Sequence, residues 1–212
     1  MLTALSILVA VSAALHISAE YGGRRAHVYV FKPLTVAFII GIALWSEPSV
    51  YKYLILAGLL FSLMGDVFLM LPKDSFIAGL VSFLIAHLFY IAAFTIDGAA
   101  TGRPSWLAAA ALLIYGGVML RLLFPFLGKM KIPVIIYMLA ILLMVWQAAN
   151  RCVNTETSDG FLAFAGATLF AASDSFLAWN RFRRSFRSAQ FLILSTYFAA
   201  QWLIALSVAL RP

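Results

Sequence analysis

The sequence predicts an all-α, polytopic membrane protein with eight transmembrane helices, and three observations carry that prediction. Of 212 residues, 64% are hydrophobic and only 11% are charged, against about 25% charged in soluble domains. Mean hydropathy is +1.01. The apolar residues come in blocks of about 20, the length that crosses a bilayer as a helix, and not in the alternating strands of about 10 residues that build a membrane barrel.

Eight segments emerge in order, at about 2–19, 29–46, 52–71, 76–96, 105–124, 131–149, 160–180 and 189–210. The first, Met1 to Glu20, lacks a basic leading region and ends in a weak Ser18-Ala19 cleavage site, so it reads as a retained span and not a signal peptide. Gly22-Gly23 separates it from the second, which opens near Lys32-Pro33, with Pro33 suited to a first helical turn. Pro48 and Pro72 bound the third segment. Gly98, Gly102 and Pro104 separate the fourth from the fifth, and Gly128 the fifth from the sixth. The polar stretch Asn154 to Gly160 precedes the seventh, and the run Arg181 to Arg187 divides it from the eighth. No connection is long enough to fold by itself, so residues 1–212 read as a single transmembrane domain.

Lys and Arg set the expected orientation. Connections after odd-numbered segments hold Arg24, Arg25, Lys32, Lys73, Arg121, Lys129, Lys131, Arg181, Arg183, Arg184 and Arg187, while the other side holds only Lys52, Arg103, Arg151 and Arg211. The positive-inside rule then puts the odd connections in the cytoplasm and both termini outside it. The net charge of +7 reads as topology and lipid headgroup contact, not nucleic-acid binding.

Two phrases stand out within the apolar runs. The third segment carries Gly65-Asp66-Val67-Phe68-Leu69 and the seventh Ser173-Asp174-Ser175-Phe176-Leu177, each a small residue, Asp, one residue, then Phe-Leu. A mid-helix Asp opposes membrane insertion by about 2.5–3.5 kcal/mol, so such residues face a bundle interior or a wet cavity and mark function. Both would lie roughly 8–9 Å inside the cytoplasmic ends of helices that run the same way. Two carboxyls in one such site can divide labour, one protonated and one ionised, as acid–base catalysis requires. The bland reading gives each Asp a bundle-holding bond to Ser or Tyr.

Other polar residues are candidates for the same site. Ser62 shares the Asp66 face at i−4. His87 and Tyr90 follow in the fourth span, where a lone His is more often a packing residue. Tyr197 and Gln201 share a face of the eighth span and line a site or bond neighbouring helices. From position alone, Lys32 snorkels to the interface; its functional reading is phosphate neutralisation or pairing with an acid. Asn180 and the arginines after it suit a helix C-terminus, with substrate capture the minor reading. Trp45, Trp106, Trp146, Trp179 and Trp202 mostly fall near span ends, as in an aromatic belt. The two acidic phrases, Lys32-Pro33 with Lys131-Ile132-Pro133, and the polar pairs of spans four and eight also fit a 4+4 parallel repeat.

Several chemistries lack a signal. Cys152 is the only cysteine, which leaves no intramolecular disulfide or cysteine metal cluster. No metal-ligand spacing, phosphate-binding loop or dinucleotide fingerprint occurs, so no cofactor is expected, and no nucleophile-elbow phrase supports a Ser-His-Asp triad.

The order Phe31-Lys32-Pro33-Leu34, Ser62 to Leu69, Ala86-His87-Leu88-Phe89-Tyr90, Pro133 with Tyr137, Gly166 to Ala178, and Tyr197-Phe198-Ala199-Ala200-Gln201 resembles the YhhN/lysoplasmalogenase family over nearly the whole chain. The resemblance implies eight spans and hydrolysis of the vinyl ether bond of lysoplasmalogens, giving a fatty aldehyde and glycerophospho-ethanolamine or -choline. Asp66 and Asp174 would be the catalytic pair. Lys32, Ser62, His87, Tyr90, Tyr137, Asn180, Tyr197 and Gln201 would surround the lysophospholipid. The bilayer is then the working environment, the inner (plasma) membrane in a bacterium, with no nucleic acid or protein partner implied. The alternative is a proton-coupled lipid or small-solute transporter that uses the paired acids as a relay. A non-catalytic scaffold and another lipid ether or amide hydrolase complete the set.

Overall fold

A computed structural model describes residues 1–71, 75–98, 102 and 104–211, with the side chains of residues 97 and 98 excepted. Pro72, Lys73 and Arg103, used above for boundaries and orientation, lie outside the described residues. The described residues form eight helices long and apolar enough to span a membrane. They are α1 (Leu2–Tyr21), α2 (Arg25–Leu44), α3 (Val50–Met70), α4 (Phe76–Gly98), α5 (Trp106–Leu123), α6 (Lys131–Thr155), α7 (Ser158–Ala178) and α8 (Ala189–Ala209). No strand occurs among the described residues.

The boundaries differ from the sequence reading in three instructive places. Gly23 takes a left-handed φ of 64°, which lets α2 begin four residues early and leaves Pro33 inside the helix instead of in its first turn. Proline has no N–H to give, so the carbonyl one turn back, on Tyr29, loses its helical donor. At the end of α6, Arg151 does not stop the helix. It is 1% exposed, hydrogen-bonds Asp159 at the start of α7 and lies over the Tyr51 ring at 4.5 Å. The helix therefore runs to Thr155 and ends only where Glu156 turns left-handed at φ 51°. Beyond α7 the chain continues through a π-helical turn, Trp179–Arg183, closed by the Arg184 N–H on the Trp179 carbonyl at 3.1 Å.

Caps come from local chemistry. Ser49 accepts from the Lys52 N–H at the start of α3, and Ser105 from the Ala108 N–H at the start of α5, each satisfying an orphan donor. The Lys52 ammonium turns back to donate to the Leu44 and Ser46 carbonyls at 2.8 and 2.5 Å, a cation on the C-terminus of α2.

The helices pair closely as α3 with α4 and α7 with α8; α4 also packs on α6, and α2 on α8. A shift of four spans exchanges these pairings. Small residues permit the approaches. A Cβ on Gly58 would come within 2.3 Å of the fully buried Tyr90 ring, and one on Gly166 within 2.9 Å of the Ala200 carbonyl. α8 is the most buried helix and α5 the least. α5 leans on α6 and touches little else.

Gly58→Ala should destabilise the protein by roughly 1–3 kcal/mol, the cost of overpacking a filled interior. Thermal unfolding in detergent checks this. An unchanged midpoint would mean the α3–α4 seam has slack.

Candidate active site

Asp66 is 1% exposed and both of its oxygens are engaged. Oδ1 lies 3.0 Å from the Lys32 ammonium of α2. Oδ2 accepts a 2.6 Å hydrogen bond from the Tyr197 hydroxyl of α8. Tyr197 in turn accepts from the Gln201 amide at 3.1 Å, and Gln201 accepts from Tyr90 at 2.9 Å. Ser62 lies 3.4 Å beyond Tyr90. Each donor in the run Tyr90–Gln201–Tyr197 points toward Asp66, the arrangement in which hydrogen bonds reinforce one another onto a charged terminus.

Asp174 is held differently. Its Oδ2 accepts from the Tyr137 hydroxyl of α6 at 2.5 Å and lies 4.0 Å from His87 Nε2 on α4. Its Oδ1 accepts no hydrogen bond from the described residues, and the side chain keeps 15% of its surface open. His87 is fully buried and neither ring nitrogen is hydrogen-bonded by the described residues. Its imidazole is pinned edge-on between Tyr137 and Phe170, at 5.1 and 4.9 Å. A buried polar group without a partner is costly, and His87 lines neither of the cavities that Asp174 lines.

Both acids line one cavity of about 710 Å³. Lys32, Tyr197 and Asn180 line it too, and Glu20, Arg25, Arg181 and Gln190 reach its outer part. A second cavity, between α4, α5, α6 and α7, is almost wholly apolar. Met119, Ile141 and Leu142 form much of its wall, and Tyr137 and Asp174 stand at its edge. Asp174 therefore lies where a polar hollow meets an apolar one.

The structure brings Lys32, Asp66, Tyr90, Tyr197, Gln201 and Ser62 into one network, and places Tyr137 and His87 on the second acid. Lys32 does not snorkel: only 12% of its side chain is exposed, against Asp66. His87 packs between Tyr137 and Phe170 with Nε2 4.0 Å from the Asp174 carboxylate. Asn180 uses its side-chain oxygen to accept from the Phe186 N–H while still lining the cavity. Ser173 turns away to the Ile193 carbonyl of α8. Among the described residues no three His, Cys, Asp or Glu side chains group as metal ligands would. Sequence reasoning missed Glu20, Gln190 and the buried Arg151–Asp159 pair. Asp159, an acid eight residues after Arg151 at the start of an apolar run, was the available signal for that pair.

Fold and site together define a multi-pass integral membrane protein with an acid-lined hollow inside its helix bundle. The YhhN family model matches residues 27–208, and the chain belongs to the YhhN family. It is 32% identical over 206 residues to Uncharacterized membrane protein YhhN of Escherichia coli O157:H7, covering 96% of this chain and 98% of that protein. It is 33% identical over 183 residues to Lysoplasmalogenase TMEM86B of Homo sapiens, covering 85% and 75%, and 35% identical over 169 residues to human Lysoplasmalogenase TMEM86A, covering 77% and 68%. No solved structure matches the chain significantly.

Lys32→Met should destabilise the protein by about 3–5 kcal/mol, because it strands a buried carboxylate. Removing both partners, in Lys32→Met with Asp66→Leu, should restore much of that loss. Unfolding midpoints of the two variants, compared with wild type, test the pairing; equal losses would contradict it.

Proposed function

We propose that the protein hydrolyses the vinyl ether bond of a lysoplasmalogen, with Asp174 as proton donor and Asp66 as the ionised partner. The observation that carries this reading is the position of Asp174 at the junction of the polar and apolar cavities. In a single-chain ether lipid the vinyl ether is likewise the junction between headgroup and hydrocarbon. The names of the TMEM86 relatives point the same way.

Asp66, paired with Lys32 and bonded by Tyr197, is held as a carboxylate that still lines the shared cavity and keeps acceptor capacity beyond those two contacts. Asp174 keeps an oxygen open. In the proposed reaction the Asp174 proton goes to the β-carbon of the vinyl ether, whose π electrons form the new C–H bond. Positive charge is then shared between the α-carbon and the ether oxygen. Water in the shared cavity adds to that carbon and releases a proton to Asp66. The hemiacetal collapses as its hydroxyl proton passes to the leaving glycerol oxygen, giving aldehyde and alcohol. The proton on Asp66 returns to Asp174 through water in the cavity. Arg25 and Arg181, at the outer part of the cavity, receive the phosphate. With the Arg-rich end in the cytoplasm, as the charge bias indicates, the lipid is taken from the inner leaflet.

The transporter reading draws on the hydrogen-bonded run from Asp66 to Ser62. Beyond Ser62, the next interior-facing residues of α3 are the fully buried Leu59 and Ile55, a poor continuation for a proton path. Flux in liposomes without aldehyde release would favour it.

Asp66→Asn and Asp174→Asn should each lower aldehyde release from lysoplasmenylethanolamine by about 100-fold or more in detergent-purified protein. Esterified lysolipids of matching headgroup should release no aldehyde. Near wild-type turnover in both folded variants would overturn the proposal.

A further inference from the structure

We infer that α5 and α7 form a hydrocarbon-chain site with a lateral opening, latched by Tyr115 and Ser175, that takes one unbranched alkyl chain from the bilayer. The inference rests on the lipid reading above and adds where the chain lies, how it enters and what limits its depth.

The latch is a single hydrogen bond between the Tyr115 hydroxyl of α5 and Ser175 Oγ of α7. Ser175 donates its own proton to the Ala171 carbonyl at 2.8 Å, so Tyr115 is the donor. Tyr115 is 38% exposed, which puts the bond on the lipid-facing side of the bundle. Little else joins the two helices: α5 packs mainly on α6 and is the least buried of the eight. A helix held mainly by one neighbour, with a hydroxyl bridge and a small contact to the Trp179–Arg183 turn, is the part of this bundle that moves most cheaply.

Apolar cavities flank the bridge on both sides, and Tyr115, Met119 and Ser175 line both. The outer one measures about 520 Å³ and is walled by Phe176, Trp179, Phe186 and Leu192. The inner one ends at Asp174 but measures only about 80 Å³, the share of roughly three waters at about 30 Å³ each. A long chain therefore does not fit the inner cavity as it stands. Releasing the Tyr115–Ser175 bond joins the two spaces and gives the chain a continuous path to Asp174. The occupant is a single chain because the inner cavity meets one polar hollow along one side, where Leu69, Phe76, Phe83, Asp174 and Leu177 line both, which suits one tail attached to one headgroup.

The inner cavity is bounded by Leu142 of α6, packed against Gly116 of α5. A Cβ on Gly116 would fall 2.5 Å from Leu142 Cδ1. This contact sets the depth to which the chain reaches. Gly116→Ala pushes Leu142 into the space, and Leu142→Ala enlarges it.

The test uses Tyr115→Cys with Ser175→Cys in a Cys152→Ala background, cross-linked by a short bifunctional thiol reagent. Binding is read with a fluorescent, non-hydrolysable alkyl ether lysophospholipid in nanodiscs. Cross-linking should weaken binding by about tenfold or more, and a cleavable linker should restore it when cut. Leu142→Ala should shift preference toward longer chains, measured by competition with alkyl lysolipids of graded length. Unchanged binding after complete cross-linking, or an unchanged length profile in Leu142→Ala, would overturn the site. Because binding is read without turnover, a protein that binds through this route but releases no aldehyde would refute the enzymatic reading and leave the site standing. Turnover unaffected by the cross-link would do the reverse.

Discussion

The Lys32–Asp66 ion pair is the interaction on which the rest of the site depends. A lone carboxylate inside a helix bundle carries a desolvation cost that it recovers only through a cation and hydrogen bonds. Here the cation comes from α2 and the hydrogen bond from Tyr197 of α8. That requirement draws three helices together and fixes the direction of the Tyr90–Gln201–Tyr197 run behind them. The second acid has an equivalent pair of neighbours, Tyr137 from α6 and His87 from α4. Each Asp thus meets one residue from the span before it, α2 or α6, and one from a span five further round the bundle, α8 or α4. Both acids accept from a tyrosine, and the ammonium of Lys32 beside Asp66 alone makes two similar acids chemically unequal.

Inequality is what acid–base chemistry needs. Two identical carboxylates would compete for one proton, whereas one saturated by an ammonium and one left with an open oxygen take different roles. Phe170 packs against His87, Tyr90 and Tyr197 and so sits between the two polar networks. In the proposed reaction the apolar wall beside Asp174 and the polar wall beside Asp66 would orient an amphiphile across the pair. The weakly attached α5 supplies the side of the site that faces lipid.

Much of this was legible in the sequence because membrane insertion penalises polarity so strongly. Asp66, Asp174, His87, Tyr90, Tyr197 and Gln201 stand out against apolar runs, Tyr137 is marked by the family resemblance, and the structure gathers them into two groups, one on each acid. Eight spans followed from length and breakers alone. What sequence could not supply was partner choice. Lys32 sits at a span end, where snorkelling and pairing look alike until the neighbouring helix is placed. Arg151 reads as a loop cation until Asp159 is seen to bury it. Pro33 reads as a helix start because only the backbone of Gly22-Gly23 decides where α2 begins. Tyr115 and Ser175 are unremarkable residues in ordinary helical positions, and only the gap between α5 and α7 gives them meaning.

The central claim, that the two acids differ in ionisation within one hollow, is tested most directly by infrared spectroscopy of the carboxyl stretch in the purified protein. The account predicts one buried protonated carboxyl band that persists in Asp66→Asn and vanishes in Asp174→Asn. A band that vanishes in Asp66→Asn instead, or one that neither substitution removes, would contradict it.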